Sequence, residues 1–109
     1  MGVVRTTVNT GVCGFTTVIR AESEDMQHVA IRIETDCENT QRLVEALPTS
    51  IDAYAEIGAG FDSEVYGAAK AELRGCCAGC PTPCAIFKSI QVAAGLALPV
   101  PLSVNLVRD

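Results

Sequence analysis

The chain has 109 residues, a net charge of −5 and 49% hydrophobic residues. That length fits one domain spanning residues 1–109, large enough to bury roughly two-thirds of the surface its unfolded form exposes. The apolar content excludes a disordered chain, and the absence of any run of Lys or Arg excludes a nucleic-acid partner, which needs a basic stripe to displace counterions.

In chain order, Val3–Asn9 is rich in β-branched residues and predicts a strand. Gly11 and Gly14 bracket a tight turn that carries Cys13, and Phe15–Ala21 predicts a second strand. After the polar turn at Glu22–Asp25, Val29, Ile31, Ile33 and Thr35 alternate with Ala30, Arg32, Glu34 and Asp36, a third strand. Short connections make the three an antiparallel meander. Thr35 and Glu38 have the spacing of a capping box, so a helix is expected to start near Cys37, with Leu43, Val44 and Leu47 on its apolar face and Pro48 as its stop.

A short helix is expected from Asp52 to Ile57, broken by Gly58 and Gly60. The next is capped by Ser63, has Val65, Ala69 and Leu73 on one face, and ends at Gly75. Thr82-Pro83 predicts a further helix start, with Ile86, Ile90, Ala93 and Ala97 at helical spacing and Pro99 and Pro101 as its end. Leu102, Val104 and Leu106 alternate with Ser103, Asn105 and Val107, which predicts a final strand. The fold class is therefore α+β: a three-stranded antiparallel meander, then three to four helices on one face, then a C-terminal strand.

Chemistry concentrates in six cysteines: Cys13, Cys37, Cys76, Cys77, Cys80 and Cys84. No basic stretch followed by a long apolar run opens the chain and no segment reaches a membrane span, so a cytoplasmic, reducing setting is expected. There the cysteines read as metal ligands or redox groups rather than as a disulfide scaffold. Cys13 sits in a glycine turn, and Cys37 and Cys84 sit at helix starts, where the dipole and free N–H groups favour the thiolate. Cys77 and Cys80 have the two-residue spacing that lets both sulfurs face one ion. Cys13, Cys37, Cys80 and Cys84 are the expected ligands of zinc or an iron–sulfur cluster, with Cys76 and Cys77 as substitutes.

Two alternatives stay open: a thiol–disulfide protein cycling Cys77 and Cys80, and a metal-free interaction domain whose cysteines pack. His28, beside a polar turn, reads as a surface residue. With one histidine in the chain no Ser/His/Asp set can be built, so a non-enzymatic role is expected.

The motifs Cys13-Gly14, Asp36-Cys37 and Pro83-Cys84-Ala85-Ile86 resemble, in order and placement, the U-type iron–sulfur cluster scaffold family, the IscU and NifU N-terminal fold, over about Val3 to Ala94. The resemblance implies convergence of Cys13, Cys37 and Cys84 on a zinc ion or nascent [2Fe–2S] cluster, with assembly or acceptor proteins as partners. The chain departs from it twice. Phe15 and Thr16 stand where that family has an aspartate, and Pro83 where it has a histidine. The stretch CPTPCAIFKSIQVAAGLALP is similar to a small cysteine-rich family of anaerobic bacteria and archaea with no assigned activity, and its Cys-Pro-x-Pro start is similar to the TSCPD domain.

Overall fold

The computed structural model describes residues 2–109. Strands β1 (Gly2–Asn9), β2 (Thr16–Ser23) and β3 (His28–Glu34) form the meander. β1 and β2 pair antiparallel from Gly2↔Ser23 to Asn9↔Thr16, and β2 and β3 from Val18↔Glu34 to Glu22↔Ala30. A two-residue strand, β4 (Ile51–Asp52), adds to β3 through Val29↔Ile51 and His28↔Asp52, giving the order β1-β2-β3-β4. Helices α1 (Glu38–Glu45), α2 (Ala53–Ala59), α3 (Glu64–Glu72) and α4 (Thr82–Ala93) complete the fold.

Alternation decides which sheet face is covered. Val8, Thr17, Ile19, Ala21 and Val29 are buried beneath the helices with Ile86 and Ile90 of α4. Burying each Ile or Val side chain completely contributes about 1.5–3 kcal/mol. The opposite residues, Arg20, Glu22, Arg32 and Glu34, face water and pair diagonally: Arg20–Glu34 at 3.3 Å and Arg32–Glu22 at 2.8 Å. The helices thus lie on one face, as the pattern predicts.

α4 runs antiparallel to β1. Its Ala93 carbonyl sits directly against Gly2, where a Cβ would overlap backbone, and the Ser89 and Thr6 hydroxyls lie 2.7 Å apart. The helix therefore begins level with the Asn9 end of β1 and ends at the Gly2 end. α3 packs between α1 and α4, its first turn held by two side chains. Ser63 accepts the Tyr66 N–H at 3.2 Å. The buried Glu56 carboxylate, reaching over from α2, accepts the Glu64 and Val65 N–H groups at 2.9 and 3.1 Å.

Three expectations are corrected. The helix starting at Thr82 stops at Ala93, well before Pro99. Gly95 is left-handed, its N–H donates to Val92 and that of Leu96 to Gln91, the paired bonds of a Schellman stop. Ala97 consequently lies outside the helix. Residues 102–107 keep their alternation but have no strand partner among the described residues, so the fourth strand is β4 and not a C-terminal one. Finally, Thr35 does not cap α1 directly. Cys37 is the N-cap, and the Thr35 hydroxyl accepts the Cys37 N–H at 3.1 Å in a turn just before the helix.

Candidate functional site: the cysteine pole

The register places the cysteines at one end of the molecule. Cys13 closes a 3-10 turn, Gly11–Cys13, between β1 and β2 at the Asn9↔Thr16 end of their ladder. Thr17, at that end of β2, donates to the Thr35 hydroxyl at 2.9 Å, which brings the segment leading to Cys37 alongside. Cys84 lies in the first turn of α4, level with the same end of β1. Cys76 follows α3 and touches the first turn of α1, where the Asn39 side-chain amide donates to its sulfur at 3.2 Å. Cys77 and Cys80 lie in the irregular connection between Cys76 and Cys84.

Local chemistry differs among the six. Burial pushes the Cys37 thiol up, but the Thr40 hydroxyl, the Thr40 and Asn39 N–H groups and the Arg42 charge outweigh it, leaving the thiol more acidic than an ordinary cysteine. The contact is electrostatic, without a full side-chain capping bond. Asn39 serves two sulfurs at once: its backbone N–H faces Cys37 and its side chain faces Cys76. Arg42 bonds the Asn39 carbonyl oxygen and reaches Glu72 of α3 at 3.6 Å, which fixes the amide so that its N–H₂ points at Cys76.

Burial, then the neighbouring Cys84 sulfur, push the Tyr66 hydroxyl above its ordinary value. The Tyr66 ring meets Phe61 edge to face and Phe87 at a tilt, at centroid distances of 5.1 and 5.4 Å. Cys77 and Cys80 flank a sharp bend in which Ala78 itself has φ of 61°. That conformation costs a residue with a Cβ.

All six cysteines are free thiols; Cys13, Cys77 and Cys84 are exposed and Cys37, Cys76 and Cys80 half-buried. Asn39 links Cys37 to Cys76, and Tyr66 lies beside Cys84. Among the described residues, no three His, Cys, Asp or Glu side chains stand close enough together to hold one ion. At the start of α4 the Thr82 hydroxyl is buried with no hydrogen-bond partner in the protein. Thr82 is the first helical residue and not the cap that Thr82-Pro83 predicts, so its hydroxyl has no helix N–H to accept.

Several residues that shape this end carry no sequence signal of their own. Asn39, Thr40 and Arg42 read as ordinary helix-face residues, and the Asn39–Cys76 contact joins positions 37 apart. His28 stands apart from the cysteines, exposed at the start of β3, 2.7 Å from Asp25.

No helix among the described residues is long and apolar enough to cross a membrane. Neither the curated proteins nor the solved structures contain a match to this chain. A family model does match, over residues 4–106, which takes in the sheet, the four helices and all six cysteines. The chain therefore belongs to that family, a family of unknown function, DUF6951.

Proposed function

We propose that the protein is a cysteine-thiolate metal-binding protein, taking zinc or an iron–sulfur cluster at the cysteine pole. The observation that carries this reading is the placement of free thiols from distant parts of the chain, Cys13, Cys37, Cys76 and Cys84, at one end of the fold. Packing alone gives no reason to collect them there, and three of the six are exposed.

The donor set fits soft, thiophilic metals. Cys37 supplies the thiolate most readily, and Cys76 lies beside it across Asn39. Cys80 and Cys84 bracket the Pro81–Pro83 segment, with Cys77 and Cys13 as further donors. The ligand set is completed when the irregular connection from Leu73 to Pro81 closes on the ion. Such coupling of metal binding to local ordering is common in small metal sites. In this reading the protein works in the cytoplasm as a carrier or scaffold, exchanging its metal or cluster with assembly or acceptor proteins. The distant resemblance to the U-type scaffold supports the cluster over the lone zinc ion. The missing aspartate and histidine set it apart from a standard assembly scaffold.

The test is metal titration of the full, reduced chain under anaerobic conditions, with Co²⁺ as a spectroscopic substitute for zinc and Fe²⁺ plus sulfide for a cluster. One ion or one cluster per chain, with thiolate charge-transfer absorption lost in both Cys37→Ser and Cys84→Ser, is the expected result. Circular dichroism of the two variants should stay native, since neither residue belongs to the buried core. No stoichiometric binding, or binding indifferent to both substitutions, would sink the proposal. A Cys77–Cys80 disulfide recovered from metal-free protein would point to the redox reading instead.

A further inference from the structure

Beyond α4 the chain carries a segment with a strand-like sequence pattern but no strand partner among the described residues. Leu102, Val104 and Leu106 are 60%, 83% and 92% exposed, and they alternate with Ser103, Asn105 and Val107. A strand of this kind has an apolar face made to be covered, and single chains do not ordinarily leave such a row in water.

The sheet carries an unused edge. β1 pairs with β2 on one side only, and no strand lies along its other side among the described residues. This edge runs for eight residues without a proline or a bulge, and its one charged residue, Arg5, points to water.

The two patterns match face for face over Leu102–Leu106, with Val107 the exception on the outer face. On β1, Val4, Thr6 and Val8 point towards the helices, and Val3, Arg5 and Thr7 point to water. A strand laid beside it with Leu102, Val104 and Leu106 on the helix side extends the apolar layer. Ser103 and Asn105 then continue the polar outer face. Six residues span about 20 Å and the edge about 26 Å, so the segment fits along it.

We infer that residues 102–107 of one copy add as a fifth strand to the β1 edge of a second copy, reciprocally, forming a two-fold dimer. The choice of a second copy follows from where the tail departs. α4 ends against Gly2, so the tail of the same chain would have to reverse over Gly95–Ala97 and then run parallel to β1. Pro99 and Pro101 oppose that path. Leu98 and Val100 each precede a proline, which disfavours helical backbone at both, and neither proline has an N–H to give to a ladder. A second copy removes the constraint and permits the antiparallel pairing that is somewhat stronger per residue. Reciprocal exchange also covers both edges and both tails, so the assembly closes instead of growing.

The experiment is light scattering coupled to size exclusion on the full reduced chain, together with amide hydrogen exchange at several concentrations. Twice the 11.4 kDa chain mass is expected, with residues 102–107 and β1 protected more strongly as concentration rises. The double substitution Val104→Asp and Leu106→Asp should yield a folded monomer, because both side chains lie outside the core. A monomer with protected residues 102–107 at every concentration would show pairing within one chain and overturn the dimer. So would a monomer with no protection, a dimer that survives the double substitution, or a polydisperse series of larger masses.

Discussion

Glu56 offers the sharpest test of how the helical layer is held. Its side chain is 3% exposed, and its two oxygens satisfy the first two N–H groups of α3 at 2.9 and 3.1 Å. Glu56→Ala strands both donors. Each buried, unsatisfied group costs about 1–3 kcal/mol, which sets a ceiling near 6 kcal/mol. Water entering the vacated space recovers part of this, so a loss of about 3 kcal/mol is expected.

Glu56→Gln keeps one acceptor oxygen but turns an N–H₂ group towards the other donor and removes the charge that favours a helix N-terminus. Its expected cost is about half as large. Urea unfolding in reductant, followed by circular dichroism, reads both. Thermal melts should shift by at least about 4 °C per kcal/mol for a chain of this size. Glu45→Ala, at an exposed glutamate, serves as the control and should stay within about 0.5 kcal/mol of wild type. The reasoning fails if Glu56→Ala is as mild as the control, or if Glu56→Gln is the more damaging of the two.

Two further predictions concern titrating groups. The His28 imidazole, hydrogen-bonded to Asp25 and also near Asp52, is held above its ordinary value, and Asp25, through the same bond and the His28 and Gln27 N–H groups, well below its own. The His28 contribution to stability is thus complete below about pH 6.5 and lost as pH rises through its folded value; that of Asp25 is complete above about pH 4 and lost as pH falls through its own. An NMR titration should place His28 above 6.5 and Asp25→Asn should return it, and an unshifted imidazole in wild type would refute the pairing. For Cys37, the rate of alkylation by iodoacetamide should reach its midpoint at a lower pH than for an ordinary cysteine, and Thr40→Val should move that midpoint upward; mass spectrometry of residue 37 across a pH series reads it, and a midpoint unmoved by the substitution would refute the role given to Thr40.

Features governed by neighbours in sequence were legible from the chain. The three-strand meander, the Ser63 cap and the left-handed Gly75 follow from alternation and turn chemistry within a few residues. β4 was not legible, because two residues have no period to read and Ile51–Asp52 is a strand only by virtue of β3. Gly95 outranked Pro99 as the end of α4 because a left-handed glycine satisfies two late carbonyls, whereas the prolines merely forbid continuation. The alternation at 102–107 predicted a strand that the fold does not contain among the described residues, because alternation does not supply a partner. At the cysteine pole the sequence places Cys13 in a glycine turn and Cys37 and Cys84 at helix starts, as found, but no three ligand-type side chains meet there among the described residues. The Asn39 bridge and the Glu56 brace were not legible, since both join residues from different elements.

The contact between α4 and the first two strands also sets an order of events during synthesis. β1, β2 and β3 can pair as soon as residue 34 exists, yet Val8, Ile19 and Ala21 on their inner face receive their cover mainly from residues 82–93. Between those two moments the nascent chain displays a paired sheet with one bare apolar side, the kind of surface that chaperones recognise and aggregates exploit. The arginine and glutamate pairs on the other side remain in water throughout, so the half-made sheet has one face that stays solvated while the other waits for its helix.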